Sequence, residues 1–109
     1  NVTTASGGRV PWTRPDTLIV RDGLRIGVVG LATPETPNTT RASNVRELRF
    51  TDMARAFDAR ARLLRARGAD VVLVAAHSGA FCDRPQPNQP AGCRGEIVDF
   101  VNAATERVD

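Results

Sequence analysis

The chain has one histidine, His77, placed where the apolar run Asp70-Val71-Val72-Leu73-Val74-Ala75-Ala76 stops at His77-Ser78-Gly79. An imidazole can act as a general base, ligate a metal through a ring nitrogen, or rest satisfied by local hydrogen bonds. Residue type alone leaves these three roles open. Position narrows them, because the C-terminal end of a buried strand is where α/β sheets present ligand-binding groups. Ser78-Gly79 allows a sharp turn and leaves room beside the ring. One histidine completes neither a zinc site nor a catalytic triad. No catalytic residue is therefore assigned, and no substrate-binding residue is identified. The other reactive side chains are Cys82 and Cys93, eleven positions apart in one polar loop. Their spacing matches no C-x-x-C zinc or redox pattern. Either they form a local disulfide, contributing roughly 2–3 kcal/mol through the unfolded state and implying an oxidising compartment, or they remain free thiols.

These residues need a frame, and the hydrophobic pattern supplies one. Residues 1–16 are rich in Gly, Pro and Thr without a period and read as irregular chain. Thr17-Leu18-Ile19-Val20 and Leu24 to Ala32 flank Asp22-Gly23, a type I′ hairpin signal because both central positions need positive φ. The second run is almost continuously apolar, which predicts a strand buried on both faces. Its glycines predict close packing. Thr33 to Arg49 reads as a long loop, with turn signals at Thr33-Pro34, Thr36-Pro37-Asn38 and Ser43-Asn44; long loops of this kind are often functional. A helix is predicted from about Thr51 to Arg67, with Met53, Phe57, Ala61 and Leu64 on one face and Gly68 as its stop. Arg55, Asp58, Arg62 and Arg65 should face solvent, with Asp58 and Arg62 paired at i,i+4. After the strand that ends at His77, a Pro-, Gln- and Asn-rich loop runs to Gly92, and Gly95 to Ala104 reads as a second helix. The order strand, strand, helix, strand, helix contains one β-α-β crossover. The fold class is α/β, a parallel sheet with helix cover.

At 109 residues and 11.7 kDa the chain amounts to one domain, residues 1–109. Its 41% hydrophobic and 25% charged residues argue against disorder. No apolar run approaches the ~20 residues of a membrane span. The opening Asn1-Val2-Thr3-Thr4 has no Met, basic start or apolar core, so a signal peptide is not expected and the chain reads as processed or cut from something longer. All 15 cations are arginine and the net charge is +3. An Arg-rich surface can bind nucleic acid, but 12 carboxylates are interleaved with the arginines; a GC-rich coding bias accounts for the composition better. No nucleic-acid partner is expected. Gly27-Val28-Val29-Gly30 lacks the G-x-G-x-x-G spacing of a dinucleotide fingerprint and leads into a Pro-containing loop.

The stretch Gly23-Leu24-Arg25-Ile26-Gly27-Val28-Val29-Gly30-Leu31-Ala32-Thr33-Pro34-Glu35-Thr36 resembles the "nGvkigviGltTpet" segment of bacterial 5′-nucleotidases of the calcineurin-like metallophosphoesterase superfamily. Leu63 to Gly79 resembles that family's "LrakGaDvvvaLsHlG", and Cys93-Arg94-Gly95-Glu96-Ile97 is similar to the segment after its His loop. The segments occur in the family's order and together cover most of residues 17–104.

The resemblance implies part of a metallophosphoesterase-type sheet, a hairpin plus a β-α-β unit, covered by helices. It implies a hydrolase in which two divalent metals, zinc, manganese or similar, clamp a phosphoester and activate water. The family's ligands come from Asp-x-His, Gly-Asp, Gly-Asn-His-Asp/Glu, a lone His after a buried strand, and Gly-His-x-His. His77 matches the lone His and is carried over as a metal ligand; with one histidine, the other His-containing motifs are not in this chain. The family's leaving-group His lies in the Asn-His motif, which leaves the catalytic assignment empty. The resemblance thus implies an internal fragment of the catalytic domain, inactive alone and binding no metal tightly. Its parent would act on a nucleotide or other phosphoester, as a 5′-nucleotidase or 2′,3′-cyclic phosphodiesterase. The family's frequent export implies a periplasmic or extracellular bacterial location and favours a Cys82–Cys93 bond. A half-domain would expose sheet edges and faces, through which a dimer could form. The alternative function is a small non-catalytic α/β module binding an acidic partner.

Overall fold

The computed structural model describes residues 1–83 and 92–109. The Pro-rich loop expected before Gly92 therefore lies, over 84–91, outside the described residues. The central sheet has three strands in the order β2-β3-β5: β2 (Asp16–Arg21), β3 (Leu24–Ala32) and β5 (Val71–His77). Asp22 and Gly23 take φ of 50° and 83° between antiparallel β2 and β3, the positive pair that a type I′ turn requires. β3 and β5 run parallel, with Gly27 opposite Val72 and Ala32 opposite His77. Between them runs the crossover helix α3 (Met53–Ala66). Asp52 caps it, its carboxylate accepting from the Arg55 backbone N–H at 2.7 Å, and Gly68 follows its end at φ 86°. A second helix, α4 (Glu96–Ala103), packs beside α3.

The core lies between α3, α4 and one sheet face. Phe57, Ala61, Leu64 and Val72 are wholly buried, and Phe57 meets Phe100 edge-to-face with ring centroids 5.5 Å apart. Gly27 permits that closeness: a Cβ there would lie 3.0 Å from Leu64 Cδ1. Gly30 plays no such part, since its missing Cβ would meet open space.

The prediction that β3 is buried on both faces is corrected. Gly27, Val29 and Leu31 are buried, whereas their neighbours Ile26, Val28 and Ala32 are half-buried and Gly30 is exposed. In β5 only Val72 is buried, and Leu73 is 42% exposed. The helices cover one face only, and strand alternation sends every second side chain to the other.

The segment expected to be irregular holds β1 (Val2–Thr4), which pairs antiparallel with β4 (Leu48–Phe50). The loop after β3 contains two single-turn helices, α1 (Thr36–Thr39) and α2 (Ala42–Val45). The solvent face of α3 also differs from expectation. Asp58 is buried, and the chain after α4 folds across it: Asp58 accepts from Thr105 N and Oγ1 and from Glu106 N at 2.6–3.2 Å. Burial works to raise the Asp58 carboxyl, but those hydrogen bonds and the Arg62 charge outweigh it and hold it below its ordinary value. Arg62 pairs with Glu106 at 3.3 Å instead of with Asp58, and half-buried Arg65 pairs with Asp109 at 2.8 Å. The returning segment supplies closer partners than the i,i+4 geometry does.

Candidate functional site

The site is built where β3 and β5 end side by side. His77, the last residue of β5, has its side chain exposed. By alternation it shares the open sheet face with Leu73 and Ala75. Its carbonyl accepts from the Thr33 N–H at 2.9 Å, one residue past the end of β3. No hydrogen bond to the imidazole is found among the described residues. The sequence expectation that His77 stands at a strand end, open to solvent, thus describes its position; its role is a separate matter.

Three side chains that the sequence reading did not single out gather beside it. Thr33 Oγ1 donates to Glu96 Oε2, and Ser78 Oγ donates to the same oxygen at 3.5 Å. Glu96 opens α4, where a carboxylate also favours the helix dipole. The start of α4 is held against the turn after His77. Gly95 has φ 135°, its Cβ position would lie 2.9 Å from the Gly79 carbonyl oxygen, and the Ile97 N–H donates to that oxygen at 3.4 Å. Only glycine fits there. A further residue outside the sequence reading is Asn1, whose side-chain amide brackets Ala32, donating to its carbonyl at 2.7 Å and accepting from its N–H at 2.9 Å.

Cys82 and Cys93 are joined as a disulfide, Cα atoms 4.0 Å apart, inside a two-stranded ribbon of β6 (Phe81–Cys82) and β7 (Cys93–Arg94). The ribbon starts four residues beyond His77 and carries Phe81, 81% exposed. An Arg94–Asp83 ion pair at 2.8 Å crosses it.

A metal needs several convergent donors, and among the described residues no three His, Cys, Asp or Glu side chains come together. The exposed imidazole of His77 is a donor group of the right type, and no further His, Cys, Asp or Glu donors converge with it among the described residues. A concavity of about 780 Å³ lies on the open sheet face between Trp12, Arg14, Gly30 and Ala75, and His77 is not among its lining residues. Arg9, Arg14, Arg60 and Asp16 also line it, but no histidine does, and the strand-end candidate stands on His77.

No family model matches the chain. Among curated proteins, the Listeria monocytogenes cell wall protein Lmo0130 is 27% identical over 86 residues, 78% of this chain and 11% of that protein. Among solved structures, calcineurin-like phosphoesterase YfkN of Bacillus subtilis superposes on 96% of this chain with a TM-score of 0.69 at 18% identity, over 32% of its own length. A Staphylococcus aureus protein assigned as a 5′-nucleotidase superposes on all of the chain with a TM-score of 0.70 at 18% identity, over 21% of its length. Sulfate thiohydrolase SoxB of Thermus thermophilus matches 71% of the chain, 14% of its own, with a TM-score of 0.63 at 20% identity. The chain thus spans a third or less of each of these proteins. Its fold is the mixed α/β fold of one part of the calcineurin-like phosphoesterases.

Proposed function

We propose that residues 1–109 are an internal part of the catalytic domain of a metal-dependent phosphoester hydrolase acting on nucleotides, of 5′-nucleotidase or 2′,3′-cyclic phosphodiesterase type. The observation that carries this reading is the exposed imidazole of His77 at the strand end of a fold that superposes along its whole length on a protein assigned as a 5′-nucleotidase. Two divalent cations, when bound, supply Lewis-acid polarisation of the phosphoryl group and a more acidic water. This chain contributes a ring nitrogen from His77 and a strand end that aims it. With one ligand it binds no metal tightly and turns over nothing by itself. Assay of the 109-residue chain with zinc or manganese and a nucleoside monophosphate tests this: no release of phosphate above buffer is expected, and turnover would refute it.

The reading of the chain as a module for an acidic partner is weaker, because four of the arginines on and just after α3 are already matched. Arg60 and Arg67 each reach Asp16 at 3.4 Å, and Arg62 and Arg65 take Glu106 and Asp109. A periplasmic or cell-surface location fits the disulfide and the similarity to a cell wall protein; two free thiols in the native protein would remove that support. Taken alone, the chain would pair with a second copy through its open sheet face or the β5 edge. Light scattering should then show the mass rising with concentration, and a monomer throughout would exclude it.

A further inference from the structure

We infer that Glu96 is a positioning residue for His77: accepting from the hydroxyls of Thr33 and Ser78, its carboxylate ties the ends of β3 and β5 to α4 and so fixes the direction in which the imidazole is presented. The inference rests on the reading of His77 as a functional ligand. Its grounds are the contacts themselves.

His77 is poorly held by anything else. It ends a strand at the edge of a three-stranded sheet, where pairing is one-sided. Beyond it the main-chain link to β3 is the single Thr33 N–H to His77 carbonyl bond. Among the described residues the ring has no hydrogen-bonding partner to set its rotamer. An exposed imidazole on a fraying strand end would sample many directions, whereas a ligand must stay close to one geometry.

Glu96 is built to prevent this. An ionised carboxylate is acceptor-only, and one oxygen carries two lone pairs. Oε2 of Glu96 uses them on the two hydroxyls that directly follow the paired strand ends, Thr33 after Ala32 and Ser78 after His77. Among the described residues no arginine is paired with Glu96. Its own backbone is anchored on both sides, by the Gly95 contact with Gly79 and by the Ile97 N–H bond to the Gly79 carbonyl. The clamp therefore closes a ring through residues 77–79, Thr33 and the first turn of α4. It acts on His77 through its neighbours, without touching the ring.

The single histidine makes the test direct, because the 109-residue chain has only one imidazole Cε1–Hε1 signal in a carbon–proton NMR spectrum. The native chain should give one sharp signal with restricted ring motion. Glu96→Ala should broaden or split it and raise ring mobility, while Glu96→Gln, which keeps an acceptor oxygen, restores most of the native behaviour. The paired Thr33→Val and Ser78→Ala change should act like Glu96→Ala without altering the start of α4, which covers the case that Glu96→Ala does not fold. In the protein carrying the complete metal site, Glu96→Ala should weaken zinc binding by about 10–100-fold, the usual scale for a group that orients a ligand, and Glu96→Gln should restore most of it. An unchanged His77 signal in the clamp variants overturns the inference. So does Glu96→Gln behaving as badly as Glu96→Ala, since that points to Glu96 acting through its charge. His77→Ala separates the two readings. If it leaves zinc binding intact, the ligand reading of His77 fails, and the inference falls with it whatever the NMR signal does. If it abolishes zinc binding while Glu96→Ala does not weaken it, the positioning inference alone fails.

Discussion

Asp58 shows how this chain uses charge for structure. It is 8% exposed, yet it remains the charged acceptor for Thr105 and Glu106 because three N–H and O–H groups converge on it. Its carboxyl is held below the ordinary value in the folded state. A lowered folded-state value means that its contribution is fully present above the unfolded value and is lost as pH falls through the folded one. Asp58→Ala should cost about 2–3 kcal/mol at neutral pH, as lost hydrogen bonds to a charged group do. Urea unfolding should then show the variant losing less stability than the parent between pH 5 and pH 2, on the order of the linkage expected for one carboxylate. An equal acid loss in both proteins would assign the acid sensitivity to other groups. The sequence could not show this role, because the partners of Asp58 lie 47 and 48 residues away and its spacing pointed to Arg62. The same holds for Glu96, whose partner Thr33 is 63 residues distant. The position of His77 at a strand end was legible because its signal is local, a polar residue ending an apolar run.

At the scale of elements, the β2–β3 hairpin, α3 and β5 were legible for the same reason. Asp22-Gly23, the Asp52 cap and Gly68 are short-range chemistry that fixes boundaries wherever the rest of the chain goes. β1 and β4 were not, since three-residue strands carry no usable period and exist only because Val2 finds Phe50. The error over β3 has a physical cause as well. A continuous apolar run specifies what a strand can bury, and only its neighbours decide whether both faces are covered. The core face of α3 was read correctly, with Met53, Phe57, Ala61 and Leu64 all buried. Phe57→Ala should therefore cost about 3–5 kcal/mol. Arg62→Ala, which loses one exposed ion pair to Glu106, should cost under about 1 kcal/mol. A reversed ranking in denaturant titrations would contradict the packing of α3.

The molecule as a whole is flat and open. Its radius of gyration is 15.3 Å with extents of 40 × 40 × 22 Å, against about 13 Å for a compact chain of this length. That excess belongs with a sheet covered on one face and with apolar Ile19 and Leu73 more than 40% exposed. The proteins whose fold it shares are three or more times longer. The central proposal stands on His77. The most direct measurement is the divalent-metal content and phosphoester turnover of the His77→Ala variant, made in the protein that carries the complete site. Substoichiometric metal, turnover reduced by orders of magnitude and an unfolding temperature close to the parent's are expected. Near-normal turnover with full metal content would contradict it.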